Sequence, residues 1–376
     1  MKKWNVEICD VTLRDGEQTP GVSFSHEEKC RIADLLNEIG VDVIEAGFPV
    51  VSHNEAGCVR DLSHMGLDAR ICCLSRALKV DVDCAIGCDV DMISIFIATS
   101  DLHMRIKYKK PRDVVLEQAL SMVEYAHDHG IQVRFAAEDA SRTDIAFLRE
   151  MYLKGAEYGA DYVSFADTVG CLTPLEMAGI IDTLIVDLPI PLCVHCHDDM
   201  GCAAANTITA AERGAYQLHT TVNGIGERAG NASLEEVLCA LRFKGGVDRY
   251  DLSHLLKLSR MVSDASGIPV PKIKSIVGDH AFAHESGIHI AALIEDSSTY
   301  EYIPPNLVGG ERHYLLGKHT GKKAIAHILH SMEHDLGEKQ ICWILEQVKK
   351  RGEHKCCITH EILLQLIHQA EQEVLE

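Results

Sequence analysis

Eight short runs of β-branched and apolar residues, each followed by a longer amphipathic stretch, fill about 245 positions and constrain this chain more than anything else in it. The runs are VEICDVT near 6, VDVIEAGF near 41, ARICCLS near 69, DMISIFIA near 91, IQVRFAAE near 131, DYVSFAD near 161, PLCVHCHD near 191 and LHTTVNG near 218. Stretches between them, such as HEEKCRIADLLNEIG and PRDVVLEQALSMVEYAHDHG, repeat their apolar residues at helical spacing and end at glycine. Strand then helix, eight times over, predicts an α/β protein built as a (β/α)₈ TIM barrel. A doubly wound sheet is the alternative, and it is weakened by the lack of a Gly-rich fingerprint after the first strand.

The rhythm stops after KGGVDRYDL. Residues 1–248 are therefore expected to form the barrel and 249–376 a mostly helical C-terminal region, with AIAHILHSME, EKQICWILEQVKKRG and HEILLQLIHQAEQEVL as its helices. The Pro-rich GIPVPK at 267–272 reads as a linker. Of the 376 residues, 47% are hydrophobic and 24% charged, a globular composition. The net charge of −20 sets a field that repels phosphate backbones and anionic membranes, so neither nucleic acid nor membrane is an expected partner. No run reaches the ~20 apolar residues of a membrane span, and the start turns acidic before any signal-like run, so a cytoplasmic location is expected. Fifteen cysteines are too dilute for a disulfide scaffold. The adjacent pairs Cys72-Cys73 and Cys356-Cys357 suit bridge geometry poorly, and the thiols read as reduced core fillers.

In a barrel the residues just past the strand C-termini converge on one mouth. After the first strand stands the charged knot Arg14-Asp15-Gly16-Glu17-Gln18, which alone is equally an ordinary solvated turn. In the seventh, alternation puts Cys193, His195 and His197 on one face and Val194, Cys196 and Asp198 on the other. Two histidines one residue apart at the end of an inner strand can reach one metal, although a single histidine there is more often structural. The same alternation splits Cys193 from Cys196 and argues against a zinc-thiolate or redox pair. In the fifth, Arg134, Ala136 and Glu138 share a face, and such charges inside a barrel are costly unless held in a buried ion pair within the protein or used. Glu45, Asp167-Thr168 and the Gly-rich segment from Asn223 to Asn231 complete the ring.

Five motifs then appear in order: ICDVTLRDGEQTPGVSFS, HCHDDMGCAAANT, TTVNGIGERAGNASLEEV, HESGIHIAAL and LGKHTGKKA. Over about residues 6–330 the chain resembles the homocitrate synthase and 2-isopropylmalate synthase family, and its wording is most similar to homocitrate synthases of the nitrogen-fixation type. The family joins acetyl-CoA to a 2-oxo acid by Claisen condensation and hydrolyses the thioester. The resemblance implies that Asp15, His195 and His197, with Asn231 as a fourth or water-mediated ligand, bind a divalent metal. Mixed carboxylate and imidazole ligation suits Mn²⁺, Mg²⁺, Co²⁺ or Zn²⁺. Arg14 would stabilise the developing alkoxide, His289 would be the base, and Tyr300 and Glu138 would assist it. Gln18, Glu45 and Thr168 would join Arg14 in holding the substrate.

Lysine-pathway homocitrate synthases are similar in carrying an arginine at the place of Arg134, which would pair with the distal carboxylate of 2-oxoglutarate. The chain departs from them at Ala136, where they tend to have serine, and at Cys73-Leu74, where they tend to have a histidine. Related synthases act on 2-oxoisovalerate, pyruvate or oxaloacetate. A lyase running the reverse cleavage is disfavoured by the GERAGN loop, which lacks a cysteine at its tip. A non-catalytic metal-binding barrel is disfavoured because it would need no base. The family also implies a homodimer whose C-terminal regions cover the partner's barrel mouth.

Overall fold

In a computed structural model that describes residues 3–354 and 358–374, a closed barrel of eight parallel strands forms. The strands are β1 (Glu7–Asp10), β2 (Val43–Glu45), β3 (Arg70–Arg76), β4 (Met92–Ala98), β5 (Gln132–Glu138), β6 (Tyr162–Asp167), β7 (Leu192–Cys196) and β8 (Gln217–Thr220). Each pairs with its neighbours in sequence, and β8 returns to β1 with Glu7 opposite Gln217 and Asp10 opposite Thr220. Both faces of such a sheet are covered, so the strands read as nearly continuous apolar runs. All eight expected strands are present. Pair 356–357, named above as unsuited to bridging, lies outside the described residues.

Local chemistry makes the connecting helices legible. Helix His26–Ile39 opens at Ser25, whose hydroxyl accepts from the Glu28 amide while the Glu28 carboxylate accepts from Ser25 N at 2.7 Å. It closes at Gly40, whose φ of +89° is the left-handed conformation that favours glycine. On the barrel floor an aspartate precedes each of β2, β4 and β6 and binds the strand before it. Asp42 accepts from Ile8 N at 2.8 Å, Asp91 from Ile71 N at 2.7 Å and Asp161 from Val133 N at 2.8 Å. Inside the barrel Cys9, Val11, Val43, Cys72, Met92 and Cys193 pack into one cluster. The thirteen described cysteines are free thiols, and burial pushes Cys9 up to about 12. The buried ones among them, such as Cys9, Cys72 and Cys193, fill core space.

The chain divides into two compact units, Met1–Val270 and Pro271–Glu376, so the division falls inside the Pro-rich stretch rather than at 248. Helix Leu255–Ser266 belongs to the first unit because Leu255, Leu258 and Val262 are buried there and Ser259 O accepts from Asn223 Nδ2 at 2.9 Å. The second unit packs helices Lys322–Ser331, Glu338–Glu353 and His360–Glu373 around Ile325, Leu329, Ile344, Val348, Leu366 and Ile367. It also holds a feature the sequence pattern does not announce, a short parallel pair of Ala283–His284 with His313–Tyr314. Among the described residues no helix is long and apolar enough to cross a membrane.

Candidate active site

The polar side chains at the barrel mouth line a cavity of about 360 Å³, which includes Arg14, Asp15, Gln18, Glu45, Arg134, Glu138, Thr168, His195 and His197. Asp15, His195 and His197 are all buried and offer ligand atoms within 4.8 Å of one another. His195 Nε2 stands 3.2 Å from His197 Nε2 and 3.6 Å from Asp15 Oδ2. Burial alone would push the Asp15 carboxyl up, but Arg14 and the two imidazoles hold it well below the usual carboxylate range. Burial lowers both histidines, so they are neutral at pH 7.

That donor set fits a divalent cation. An ionised carboxylate faces two neutral imidazoles whose ring nitrogens point at each other. Asn231 adds a fourth donor: its Nδ2 donates to Asp15 Oδ1 at 2.8 Å and to Ile225 O at 3.1 Å, which fixes the amide and leaves Oδ1 buried without a partner. An orphan oxygen at such a place is expected of a ligand. Gly226 makes the approach possible, since a Cβ there would sit 2.9 Å from Asp15 Oδ1 and closer still to Asn231 Nδ2. Gly226→Ala is therefore expected to weaken metal affinity by about 10–100-fold, the cost typical of disturbing a ligand's supports. Calorimetric titration with Mn²⁺ checks it, and unchanged affinity would mean that Asn231 has no part in the site.

Arg14 lies beside this cluster, with Nη1 donating to Asp15 Oδ2 at 2.6 Å and Nε to Glu45 Oε1. Glu45 is fully buried, and its other oxygen binds Arg134. Burial would raise its pKa, yet the two arginines keep it lowered and ionised. Arg134 further donates to Gln217 Oε1 at 2.8 Å and Ser94 Oγ at 3.2 Å. The inward arginine is thus an internally paired charge, with Glu45 rather than Glu138 as its partner. Glu138 lies nearer the mouth, where Oε1 meets Lys107 and, at 3.6 Å, His103, while Oε2 is buried without a partner. Thr168 accepts from the Asp139 amide at 2.8 Å, and Gln18 Oε1 lies 3.5 Å from Arg14 Nη1. Asn223 is turned away from the cavity, donating to Ser259 O and, through its amide, to Glu235.

His219, Ser94, Ser164, Lys107 and Arg228 also line the cavity, and none of them was singled out in the sequence. The alternation of β8 carries the signal for His219, two positions after Gln217. His289 and Tyr300 belong to the second unit, where their rings stack 4.0 Å apart. His284, five residues earlier, is bound to Glu301 at 3.3 Å, and Glu301 also accepts from Arg312. The two glycine motifs of this unit press together: Gly287 N donates to His319 O at 2.9 Å, and a Cβ on Gly287 would meet Gly321 N at 2.5 Å.

Residues 5–262 match the family model described as HMGL-like, and residues 276–356 match the homocitrate synthase post-HMGL domain-like model. The chain is similar to a homocitrate synthase AksA of Methanosarcina mazei, at 52% identity over 98% of this chain and 92% of that one. It is also similar to a probable 2-isopropylmalate synthase of Methanopyrus kandleri, at 50% identity over 93% of this chain and 70% of that one. Among solved structures, the HMG-CoA lyase of Bacillus subtilis superposes with a TM-score of 0.64 over 72% of this chain and 97% of that one. At 21% identity that likeness bears on the fold alone.

Proposed function

The chain belongs to the HMGL-like family and carries the homocitrate synthase post-HMGL domain after its barrel, and from that premise we propose that it condenses acetyl-CoA with 2-oxoglutarate and water to give homocitrate and CoA. The observation that carries this reading at the site is the buried set of Asp15, His195 and His197 beside Arg14 in one cavity. A divalent metal held by these three and by Asn231 would supply a Lewis acid for the keto and carboxylate oxygens of the 2-oxo acid.

The protein's own groups would do the rest. Arg14, held by Glu45 and Asp15, presents a fixed positive charge to the keto oxygen as it becomes an alkoxide. His289 would take a proton from the acetyl methyl, so that the resulting carbon nucleophile bonds to the keto carbon. Tyr300, stacked on that imidazole, would orient it. Glu138 has a bare oxygen with which to accept a proton or position the water that hydrolyses the thioester and releases CoA. Glu45 serves as a positioning residue, and Gln18 and Thr168 as polar contacts for the substrate.

The specificity is read from Arg134. Its guanidinium lies deeper than Glu138 on β5, at the depth of a substrate tail, and a second carboxylate could share it with Glu45. Leu74, Phe96 and Ala136 on the same wall favour a second reading, an apolar tail such as that of 2-oxoisovalerate. Release of free CoA across a panel of 2-oxo acids separates the two. We expect 2-oxoglutarate to have the highest kcat/KM. Arg134→Ala also strips Glu45 of one partner and so harms every substrate, so the diagnostic quantity is the difference. The loss should be at least ~10-fold greater for 2-oxoglutarate than for 2-oxoisovalerate, as a charge-assisted bond of ~1.5–3 kcal/mol requires. Equal losses, or a wild type that prefers 2-oxoisovalerate, would overturn the homocitrate assignment.

Homodimerisation and a cytoplasmic location are part of the same proposal. The nitrogen-fixation wording of the motifs and the archaeal AksA relatives suggest two destinations for the product, and both begin with this condensation. The metal is proposed to be Mn²⁺, Mg²⁺, Co²⁺ or Zn²⁺, each compatible with a carboxylate, two imidazoles and an amide oxygen.

A further inference from the structure

A chain of net charge −20 places five basic residues and one carboxylate in the twelve residues 101–112, directly after β4 at the barrel mouth. The segment is firmly held. Ser100 caps the short helix Asp101–His103, a π-helical turn spans Met104–Tyr108, and Lys109 follows with a φ of +54°. Such turns are rare and occur often at functional sites. Met104 is buried beneath the turn, the Tyr108 hydroxyl accepts from Ala98 N at 3.1 Å, and Lys107 reaches into the cavity to Glu138. The one carboxylate, Asp101, is neutralised by Arg112, whose guanidinium also lies 4.2 Å over the Phe147 ring.

Arg105, Lys109 and Lys110 are exposed, and among the described residues they have no acidic partner. Exposed Leu102 and Ile106, the latter 59% accessible, stand among them. Three unpaired cations on the rim of an acidic protein draw anions to that place, and two apolar side chains beside them suit a ligand that is not purely ionic. The cavity takes a 2-oxo acid and a thioester, but a whole acetyl-CoA is much larger than that. Its phosphates, separated from the thioester by the pantetheine arm, must lie outside.

We propose that Arg105, Lys109 and Lys110 form the site that receives the phosphate end of coenzyme A, with Leu102 and Ile106 against its less polar parts. The proposal rests on the reading of the chain as an acetyl-CoA-consuming enzyme, but direct binding can be tested without turnover.

The test compares wild type with the triple variant Arg105→Glu/Lys109→Glu/Lys110→Glu and with its milder form carrying glutamine at the three positions. Calorimetry with desulfo-CoA should show at least a tenfold weaker affinity for the glutamate variant and a smaller loss for the glutamine one. Added salt should weaken the wild type more than either variant. The KM for acetyl-CoA should rise in step. The KM for the 2-oxo acid and for S-acetyl-N-acetylcysteamine, a thioester with no phosphate, should stay as in wild type. Unchanged desulfo-CoA affinity in both variants, an equal rise in KM for both thioesters, or a wild type that binds no desulfo-CoA would overturn the proposal. A wild type that binds desulfo-CoA through these residues but releases no CoA with any 2-oxo acid would leave the site standing and remove the condensation.

Discussion

His195→Ala and His197→Ala should each lose the metal and, with it, the activity. Three protein side chains and an amide oxygen make a small ligand set, and deleting one imidazole removes a donor while leaving an open position for water. Disturbing a ligand's supports already costs about 10–100-fold in metal affinity, so loss of a ligand should exceed ~100-fold and take turnover below ~1% of wild type. Stability should suffer less. Both imidazoles are neutral and buried against Asp15, whose charge retains Arg14 and Asn231 as partners in either variant. Metal content after dialysis, turnover and the melting temperature form the measurement. Full metal occupancy with normal turnover in either variant would remove these residues from the site.

The second large effect is expected at His289. Removing a general base raises the barrier of the proton-transfer step without touching ground-state contacts, so His289→Ala should lose about 10²–10⁴-fold in kcat while keeping metal and 2-oxo acid affinity. His284→Ala is the informative control, because that imidazole is engaged by Glu301 within its own unit whereas His289 is exposed and stacked on Tyr300. Titration with the 2-oxo acid alongside turnover separates binding from rate. Lost 2-oxo acid affinity with turnover preserved would show that the base lies elsewhere.

Much of this was legible before any coordinates, for physical reasons that differ between elements. The strands were visible because a parallel barrel buries both faces, and helix His26–Ile39 because Ser25, Glu28 and Gly40 mark its ends. His195 and His197 were visible because a period of two is enough to place them on one face. Other features depend on contacts between distant strands, which spacing within one strand does not report. Arg134 and Glu138 share a face of β5, yet the partner of Arg134 is Glu45 on β2. His103 and Lys107 lie in a one-turn helix and a π-helical turn too short to show a period, and join the site only because β4 aims that segment at Glu138. The two-residue strands at 283–284 and 313–314 are too short to show any period.

The floor aspartates carry a consequence for how such enzymes can diverge. They fix the register of β1 with β2, β3 with β4 and β5 with β6 at the end of the barrel remote from chemistry. In the fourth pair the residue before β8 is Tyr216, whose N donates to Leu192 O at 2.8 Å without an aspartate, and β7 and β8 are tied again at the mouth: His197 bridges Asn231, Thr221 bridges Ser233, and Ala232 N donates to Cys196 O at 3.2 Å. One quarter of the barrel is thus tied at its mouth through His197 and Asn231, two of the proposed metal ligands. There, a substitution that alters chemistry also loosens architecture, and selection has little room to explore. In the middle strands alignment is secured on the floor, so Leu74, Phe96, Ala136 and Ser164 can drift at the other end without risk to register. New 2-oxo acid preferences are expected to arise on that tolerant wall, while the histidine and glycine end of the barrel stays as it is.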